Sequence, residues 1–186
     1  DLAKVNLAIE QDTLKKEPVL TQAFDYAKKY QKNIHFLGLL SDGGVHSHIN
    51  HLKRLISAAH NEGLKHLYVH AFTDGRDVDP KSGLSFIKEL EKHLDKTTGK
   101  IASVIGRYYA MDRDKRWERV KKSYDLLVNC IGEKTTDLIK SIENSYTKGI
   151  TDEFIEPIVN TENNKPIATI EKDDVVIFFN FRTDRG

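Results

Sequence analysis

Short, largely apolar runs alternate with amphipathic segments along this sequence, and no other feature limits the fold as strongly. The runs NIHFLGLL, LKHLYVHAF, KIASVIGRYY and DDVVIFFNF have the length of strands and are largely apolar on both sides. A strand of this kind needs cover on both faces of its sheet. The sequence therefore predicts an α/β fold of three layers, αβα, in which helices cover both faces of a mostly parallel sheet.

Apolar residues repeat every three to four positions between these runs, which predicts helices. We expect helices over about 1–10, 20–27, 47–61, 80–94, 117–128 and 135–145. Pro80 suits a first helical turn, and Gly63 suits the residue just beyond a helix end. Residues 149–171 form the least regular stretch, with a polar run NTENNKP.

Length and composition favour one compact domain covering residues 1–186. The formal net charge is +1, from 29 basic and 28 acidic residues that are interleaved, so nucleic acid is not an expected partner. No apolar run approaches 18 residues, which argues against a membrane partner. The single cysteine, Cys130, cannot form an internal disulfide, and we expect a cytoplasmic location.

Polar motifs follow each of the four predicted strands. SDGGVHSH follows the first, TDGRD the second, GRYYAMDRDKR ends and follows the third, and FRTDR follows the last. Because ligands collect beyond the carboxyl ends of parallel strands, these motifs are expected to form one shared rim. Several arginines gathered there would repel one another without an anion, and guanidinium groups bind carboxylates and phosphates in bidentate fashion. The pattern predicts a small, multiply charged anionic substrate.

Simpler interpretations of the same residues remain open. The terminal arginines could form surface salt bridges, and the aspartates of TDGRD could cap a turn and the following helix. The spacing of His46, His48 and His51 suggests a zinc site, and hence a zinc hydrolase, although a third ligand and an open coordination site are not evident nearby. A stand-alone module that binds a small anion without chemistry is a further alternative.

Five motifs together resemble one known family. LLSDGGVHSHINHL, VHAFTDGRDVDP, GRYYAMDRDKRWERV, NTEN and FFNFRTDR are similar to motifs of the cofactor-independent (2,3-bisphosphoglycerate-independent) phosphoglycerate mutases, in their inserted phosphotransferase domain. The resemblance covers essentially the whole chain. It implies a glycolytic isomerase that interconverts 3-phosphoglycerate and 2-phosphoglycerate through a phosphoserine intermediate.

The resemblance also assigns roles to individual residues. It implies that the substrate is held by His46, Arg76, Asp77, Arg107, Arg113, Arg182 and Arg185. The arginines would hold the carboxylate and the phosphate, so that the glycerate stays bound while its phosphoryl group is on serine. Asp77 is the candidate catalytic base, which takes a proton from the attacking hydroxyl.

In this family the nucleophilic serine and two manganese ions belong to another, phosphatase-like domain, whose motifs are absent from this sequence. We therefore expect an excised, substrate-binding insertion domain that contains no cofactor or metal site of its own. Its expected partners are the two phosphoglycerates and the missing catalytic domain of the same polypeptide. Alone, the fragment is expected to have no mutase activity.

Overall fold

The computed structural model describes residues 2–185, in which helices and strands alternate along most of the chain. The α-helices are α1 Leu2–Glu10, α2 Pro18–Tyr30, α3 Ile49–Asn61, α4 Gly83–Lys96, α5 Arg107–Ala110, α6 Trp117–Asn129 and α7 Leu138–Thr147, and 3-10 turns cover Leu14–Lys16 and Asp152–Phe154. The strands are β1 Ile34–Leu40, β2 Leu67–Thr73, β3 Lys100–Gly106, β4 Glu133–Thr135, β5 Ile158–Glu162, β6 Lys165–Pro166 and β7 Val175–Phe178.

The strands form one sheet in the order β4-β5-β3-β2-β1-β7, with β6 paired to β5. Strands β7, β1, β2 and β3 are neighbours and run parallel, as their sequence pattern predicts. Strand β5 pairs antiparallel with β3, and β4 runs parallel to β5, so the sheet is mixed. The predicted three-layer α/β fold with a mostly parallel sheet is confirmed.

The two faces of the sheet carry separate apolar cores. Helices α2, α3, α4 and α7 pack on one face, where the fully buried side chains include Phe36, Ile56 and Ile87. Helices α5 and α6 cover part of the other face, where Leu126 and Met111 pack against strand residues. Burying one such side chain stabilises the fold by about 1.5–3 kcal/mol.

The structure differs from the sequence prediction at several places. Pro80 does not lie in a first helical turn, because α4 begins only at Gly83, after a turn. Thr135 belongs to β4, and the helix that follows begins at Leu138.

The run KIASVIGRYY is not a single strand, because the chain turns after Gly106 into the short helix α5, which buries the Arg107 side chain. The stretch 149–171 is more regular than expected, since it contains β5 and β6. These strands are short and rich in polar residues, so they lack the apolar pattern that reveals the central strands.

Local signals define where several helices begin. Pro18 occupies the first turn of α2, where its missing N–H leaves no bond unmade. The His48 side chain accepts a hydrogen bond from the Asn50 N–H at the start of α3, and Asp137 caps α7 in the same way.

Within residues 2–185, no helix is both long enough and apolar enough to cross a membrane.

Candidate functional site

The four polar motifs predicted to share a rim follow β1, β2, β3 and β7, the four parallel neighbours of the sheet. Their carboxyl ends therefore lie at one edge, and the segments that follow them meet there. Main-chain and side-chain bonds join adjacent segments directly: the Phe181 N–H donates to the His46 carbonyl at 2.8 Å, and the Asn180 side chain accepts from the Leu39 N–H at 2.9 Å. The segment after β7 is thereby fixed to the one after β1.

Arg107 lies at the centre of this edge and is almost fully buried. Its Nη1 donates to Oδ1 of Asp74 and to Oδ2 of Asp77, each at 2.7 Å. Burial by itself lowers the pKa of this guanidinium, but the bonds to Asp77 and Asp74 outweigh burial and raise it. Arg107 is thus a buried cation held by two carboxylates, and it joins the loop after β2 to the end of β3.

Asp74 is the hub of the loop after β2. Its Oδ1 accepts from the backbone N–H groups of Arg76 and Asp77, at 3.1 and 3.0 Å, and its Oδ2 accepts from the Ser41 hydroxyl at 2.7 Å. Burial raises the pKa of Asp74, yet these donors and Arg107 outweigh it and keep the pKa below its ordinary value. One carboxylate therefore ties together the segments after β1, β2 and β3.

His46 is buried between two acids of different loops. Its Nε2 lies 3.8 Å from Oδ2 of Asp77, and its Nδ1 lies 3.5 Å from Oδ1 of Asp184. Burial, and then the positive charges of Arg107 and Arg182, lower the pKa of His46 below 6.5. The imidazole is therefore mainly neutral at neutral pH and has one N–H to donate.

Three further arginines are about half exposed and have loose acidic partners. Arg76 lies 3.5 Å from a Glu153 carboxylate oxygen, while Arg113 and Arg182 lie 3.8 and 3.0 Å from Oδ2 of Asp184. Exposed ion pairs of this kind contribute only about 0–1 kcal/mol. These guanidinium groups can exchange their acidic partners at small cost.

Arg185 completes the group. Its Nη1 donates to the Met111 carbonyl at 2.6 Å, but its Nε is buried and has no hydrogen-bond partner within residues 2–185. Burial lowers the pKa of Arg185, and repulsion from nearby guanidinium groups lowers it further; these belong to Arg113, Arg107 and Arg76.

Four of the seven predicted site residues line a cavity of about 250 Å³: Arg76, Arg107, Arg113 and Arg185. The other three, His46, Asp77 and Arg182, join it through the contacts above.

The three histidines proposed as zinc ligands do not converge. His46 faces the acids of the arginine site, His48 caps α3, and His51 bonds Asn6 of α1 at 2.7 Å. Within the part of the chain that the structure describes, no group of three or more His, Cys, Asp or Glu side chains is arranged to hold a metal ion. His46, His48 and His51 therefore do not form the ligand set that a zinc hydrolase would need.

Sequence reasoning did not select several residues that shape the site. Asp74 and Asp184 lie in motifs expected at the rim but were not selected as substrate-binding residues, yet both contact several site residues. Glu153, the partner of Arg76, comes from a segment after α7 that carries no motif. The position of Asp184 between the two arginines of RTDR was the signal available for this residue, and no local pattern pointed to Glu153.

Comparisons with known proteins agree with this arrangement. The family model described as BPG-independent PGAM N-terminus matches residues 5–186. The 2,3-bisphosphoglycerate-independent phosphoglycerate mutases of Flavobacterium psychrophilum and Flavobacterium johnsoniae are 65% and 63% identical over the whole chain. The chain spans 37% of the length of each of these relatives.

A solved structure supports the same relationship. A crystal structure of Leishmania mexicana phosphoglycerate mutase, determined at low cobalt concentration, superposes with a TM-score of 0.93 at 32% identity. The match covers 99% of this chain and 35% of the Leishmania chain. The chain therefore belongs to the family of BPG-independent phosphoglycerate mutases, and it matches the part that the family model describes as their N-terminus.

Proposed function

We propose that the arginine site binds phosphoglycerate, and that the protein containing this chain interconverts 3-phosphoglycerate and 2-phosphoglycerate in glycolysis. The proposal extends the activity for which the relatives are named to a chain that spans about a third of their length. A glycolytic substrate is consistent with a cytoplasmic location. The substrate-binding residues would be His46, Arg76, Asp77, Arg107, Arg113, Arg182 and Arg185.

The observation that carries the proposal is the crowding of guanidinium groups around Arg185. Burial lowers the pKa of Arg185, three neighbouring arginines lower it further, and its buried Nε has no acceptor among the described residues. Such a group of cations is stabilised by an anion that brings several oxygen acceptors. Phosphoglycerate has a carboxylate and a phosphate on a three-carbon frame, which suits a site with arginines on several sides.

Asp77 is proposed to act as the base towards the attacking hydroxyl. The bond from Arg107 fixes one of its oxygens, and the side chain is 18% exposed, so the carboxylate is both oriented and accessible. A base must reach the hydroxyl that it deprotonates, and a fixed carboxylate beside arginines that hold the substrate meets that requirement. His46, next to Asp77 and mainly neutral, would donate its N–H to a substrate oxygen.

The remainder of the reaction would need groups from outside residues 1–186. We propose that this chain is one substrate-binding domain, and that the nucleophilic serine and two manganese ions belong to the rest of the polypeptide. The Leishmania structure was determined at low cobalt concentration, which is consistent with a divalent metal in that relative. The side chains of residues 2–185 do not form a suitable metal-ligand group, so no step is assigned to a metal here. The isolated chain is accordingly expected to show no turnover.

Isothermal titration with 3-phosphoglycerate tests the binding proposal. The 186-residue chain is compared with an Arg182→Ala, Arg185→Ala double variant, and equal unfolding curves for both proteins establish that the variant is folded. Saturable binding that is lost in the variant supports the proposal. Equal binding by both proteins contradicts the role of these arginines. Turnover by the rigorously purified chain contradicts the expected division between domains.

The complete polypeptide provides the second test, since the gene that contains this chain is expected to encode a phosphoglycerate mutase. Mutase activity that disappears in Asp77→Asn supports both the reaction and the proposed base. An active Asp77→Asn enzyme would remove Asp77 from that role. A complete polypeptide that binds phosphoglycerate without converting it would favour the stand-alone binding module instead.

A further inference from the structure

Residues 152–155, a 3-10 turn and the residue after it, are packed between the loop that follows β2 and the start of α5. This segment lies far from both in sequence and was not expected to contribute to the site. Asp152 is completely buried, although it is an acidic residue in a connecting segment. A buried carboxylate needs hydrogen-bond donors, and the identity of those donors indicates what the segment holds in place.

Asp152 bonds both ends of the loop that carries Arg76 and Asp77. Its carbonyl accepts from the Thr73 hydroxyl at 2.7 Å, at the end of β2. Its Oδ2 accepts from the Gly83 N–H at 2.7 Å, at the start of α4, and its Oδ1 accepts from the Tyr146 hydroxyl. Its own N–H donates to the Pro80 carbonyl at 2.9 Å. The loop between β2 and α4 is thus held at three points by one residue.

The same segment contacts the start of α5, which carries Arg107. The Gly106 N–H donates to the Ile155 carbonyl at 2.8 Å. The Phe154 ring packs on Tyr108, with centroids 5.1 Å apart, and the Glu153 carboxylate lies 3.5 Å from Arg76. Residues 152–155 therefore contact both elements whose side chains form the Arg107–Asp77 pair.

Two glycines show how closely the segment approaches these elements. Gly106 has φ −67° and ψ 147°, a conformation open to any residue, yet a Cβ there would lie 2.3 Å from the Glu153 carbonyl oxygen. Gly83 is not in the left-handed region either, and a Cβ there would lie 2.6 Å from Oδ1 of Asp152. Glycine is required at both positions by the approach of this segment and not by the local backbone.

We propose that residues 152–155 position the substrate site, with Asp152 as the positioning residue for Arg76, Asp77 and Arg107. Glu153 and Phe154 line the cavity, but Asp152 does not, so Asp152 acts through the loops that it fixes. The proposal rests on the proposed function, because it assigns the segment a role in the same phosphoglycerate site. A displacement of about 1 Å at such a site is enough to weaken binding and catalysis severely.

The test uses Gly106→Ala in the complete polypeptide, with 3-phosphoglycerate as substrate. The added methyl group pushes residues 152–155 away without straining the backbone at position 106. We expect KM to rise by about tenfold or more and kcat to fall as well, because binding and the proposed base both depend on the two elements. A purely structural role would reduce the folded fraction, which lowers the maximal rate but leaves KM unchanged.

Two further variants make the result interpretable. Gly63→Ala is the control for a glycine replacement that costs stability: Ala strains the backbone at φ +78°, and beyond the chain neighbours no described atom lies within 4 Å of the Cβ position, so KM should stay within about twofold of wild type. If Gly106→Ala does not fold, Tyr146→Phe decides the question. It removes only the hydroxyl that donates to Asp152 and accepts from the Leu84 N–H, and it should raise KM about threefold.

The outcomes separate the two proposals. An inactive wild-type polypeptide overturns the proposed function, and the positioning role with it. An active wild type whose KM is the same in Gly106→Ala and in Tyr146→Phe overturns the positioning role alone. A KM that rises in these variants but not in Gly63→Ala supports both.

Discussion

Acidification is expected to destabilise the protein through a buried chain of side chains that crosses four strands or their ends. Asp174, just before β7, is 2.9 Å from Nε2 of His35 on β1. Nδ1 of His35 is 2.9 Å from Nε2 of His70 on β2, and Nδ1 of His70 is 2.7 Å from the Ser103 hydroxyl on β3. With both imidazoles neutral, every hydrogen in this chain has one acceptor: Ser103 donates to His70, His70 to His35, and His35 to Asp174.

The size of the expected loss of stability follows from the pKa of His70. Burial, and then the neighbouring His35, lower it from 6.5 to about 3. Between these two values the unfolded chain binds a proton that the folded protein does not, so stability increases with pH in this window and is lost as the pH falls through it. The slope is about 1.4 kcal/mol per pH unit for one proton, and the full shift corresponds to about 5 kcal/mol.

Urea unfolding between pH 4 and 7 measures this slope, and His70→Gln removes its source. We expect the variant to be less stable at pH 7, because the substitution interrupts the row of hydrogen-bonded side chains. Between pH 4 and 6, however, the slope of its unfolding free energy against pH should be smaller than that of wild type by about 1.4 kcal/mol per pH unit. Since His35 and His70 share a hydrogen bond, the proton that only the unfolded chain binds is assigned to the pair and not to one imidazole. His60→Gln, at an exposed position of α3, controls for the substitution itself. Equal slopes for wild type and His70→Gln would refute the reasoning.

Three other substitutions have defined expectations. Arg107→Met should destabilise the chain by about 3 kcal/mol in urea unfolding, since Asp74 and Asp77 lose a shared buried donor; no loss would mean that these acids do not depend on it. Asp77→Asn in the complete polypeptide should lower kcat about 100-fold or more with little change in KM, as measured by steady-state kinetics, and an unchanged kcat would contradict its role as base. Ile87→Ala, in the fully buried core under α4, should cost about 2–5 kcal/mol of unfolding free energy without changing ligand affinity, and a loss below about 1 kcal/mol would indicate a loosely packed core.

The sequence predicts the central part of the fold well because burial on both faces leaves a strong pattern. Strands β1, β2 and β3 are short apolar runs that are buried almost throughout, and the helices between the strands repeat at helical spacing. Strand β7 is also a short apolar run, although it lies at the edge of the sheet and its side chains are partly exposed. Strands β4, β5 and β6, on the other side of β3, are short and rich in polar residues, so no local pattern separates them from loops. Their pairing is decided by tertiary contacts, which a single sequence does not display.

The candidate site is predictable to a similar degree. The carboxyl-end rule brings the four motifs together without any structural information, and the structure places all seven predicted residues at that edge. The contribution of residues 152–155 was not predictable, because the bonds of Asp152 to Thr73 and Gly83 and the contact of Glu153 with Arg76 join residues about 70 or more positions apart. A contact of that sequence separation leaves no trace in local spacing.

The structure further divides residues of the site into two layers with different physical roles. Asp74, Asp77 and Arg107 are joined by short buried bonds, and breaking such a group leaves an uncompensated charge. Arg113 and Arg182 form ion pairs with Asp184 at the surface, where such pairs are weak. An incoming anion can therefore replace Asp184 as their partner at small cost but cannot replace Asp74. Arg107 belongs to both layers. Its Nη1 donates to the two acids, its other three N–H groups make no hydrogen bond to the part of the chain that the structure describes, and its side chain lines the cavity. We accordingly expect the ligand to bind by reorganising the outer arginines over an inner group that stays fixed.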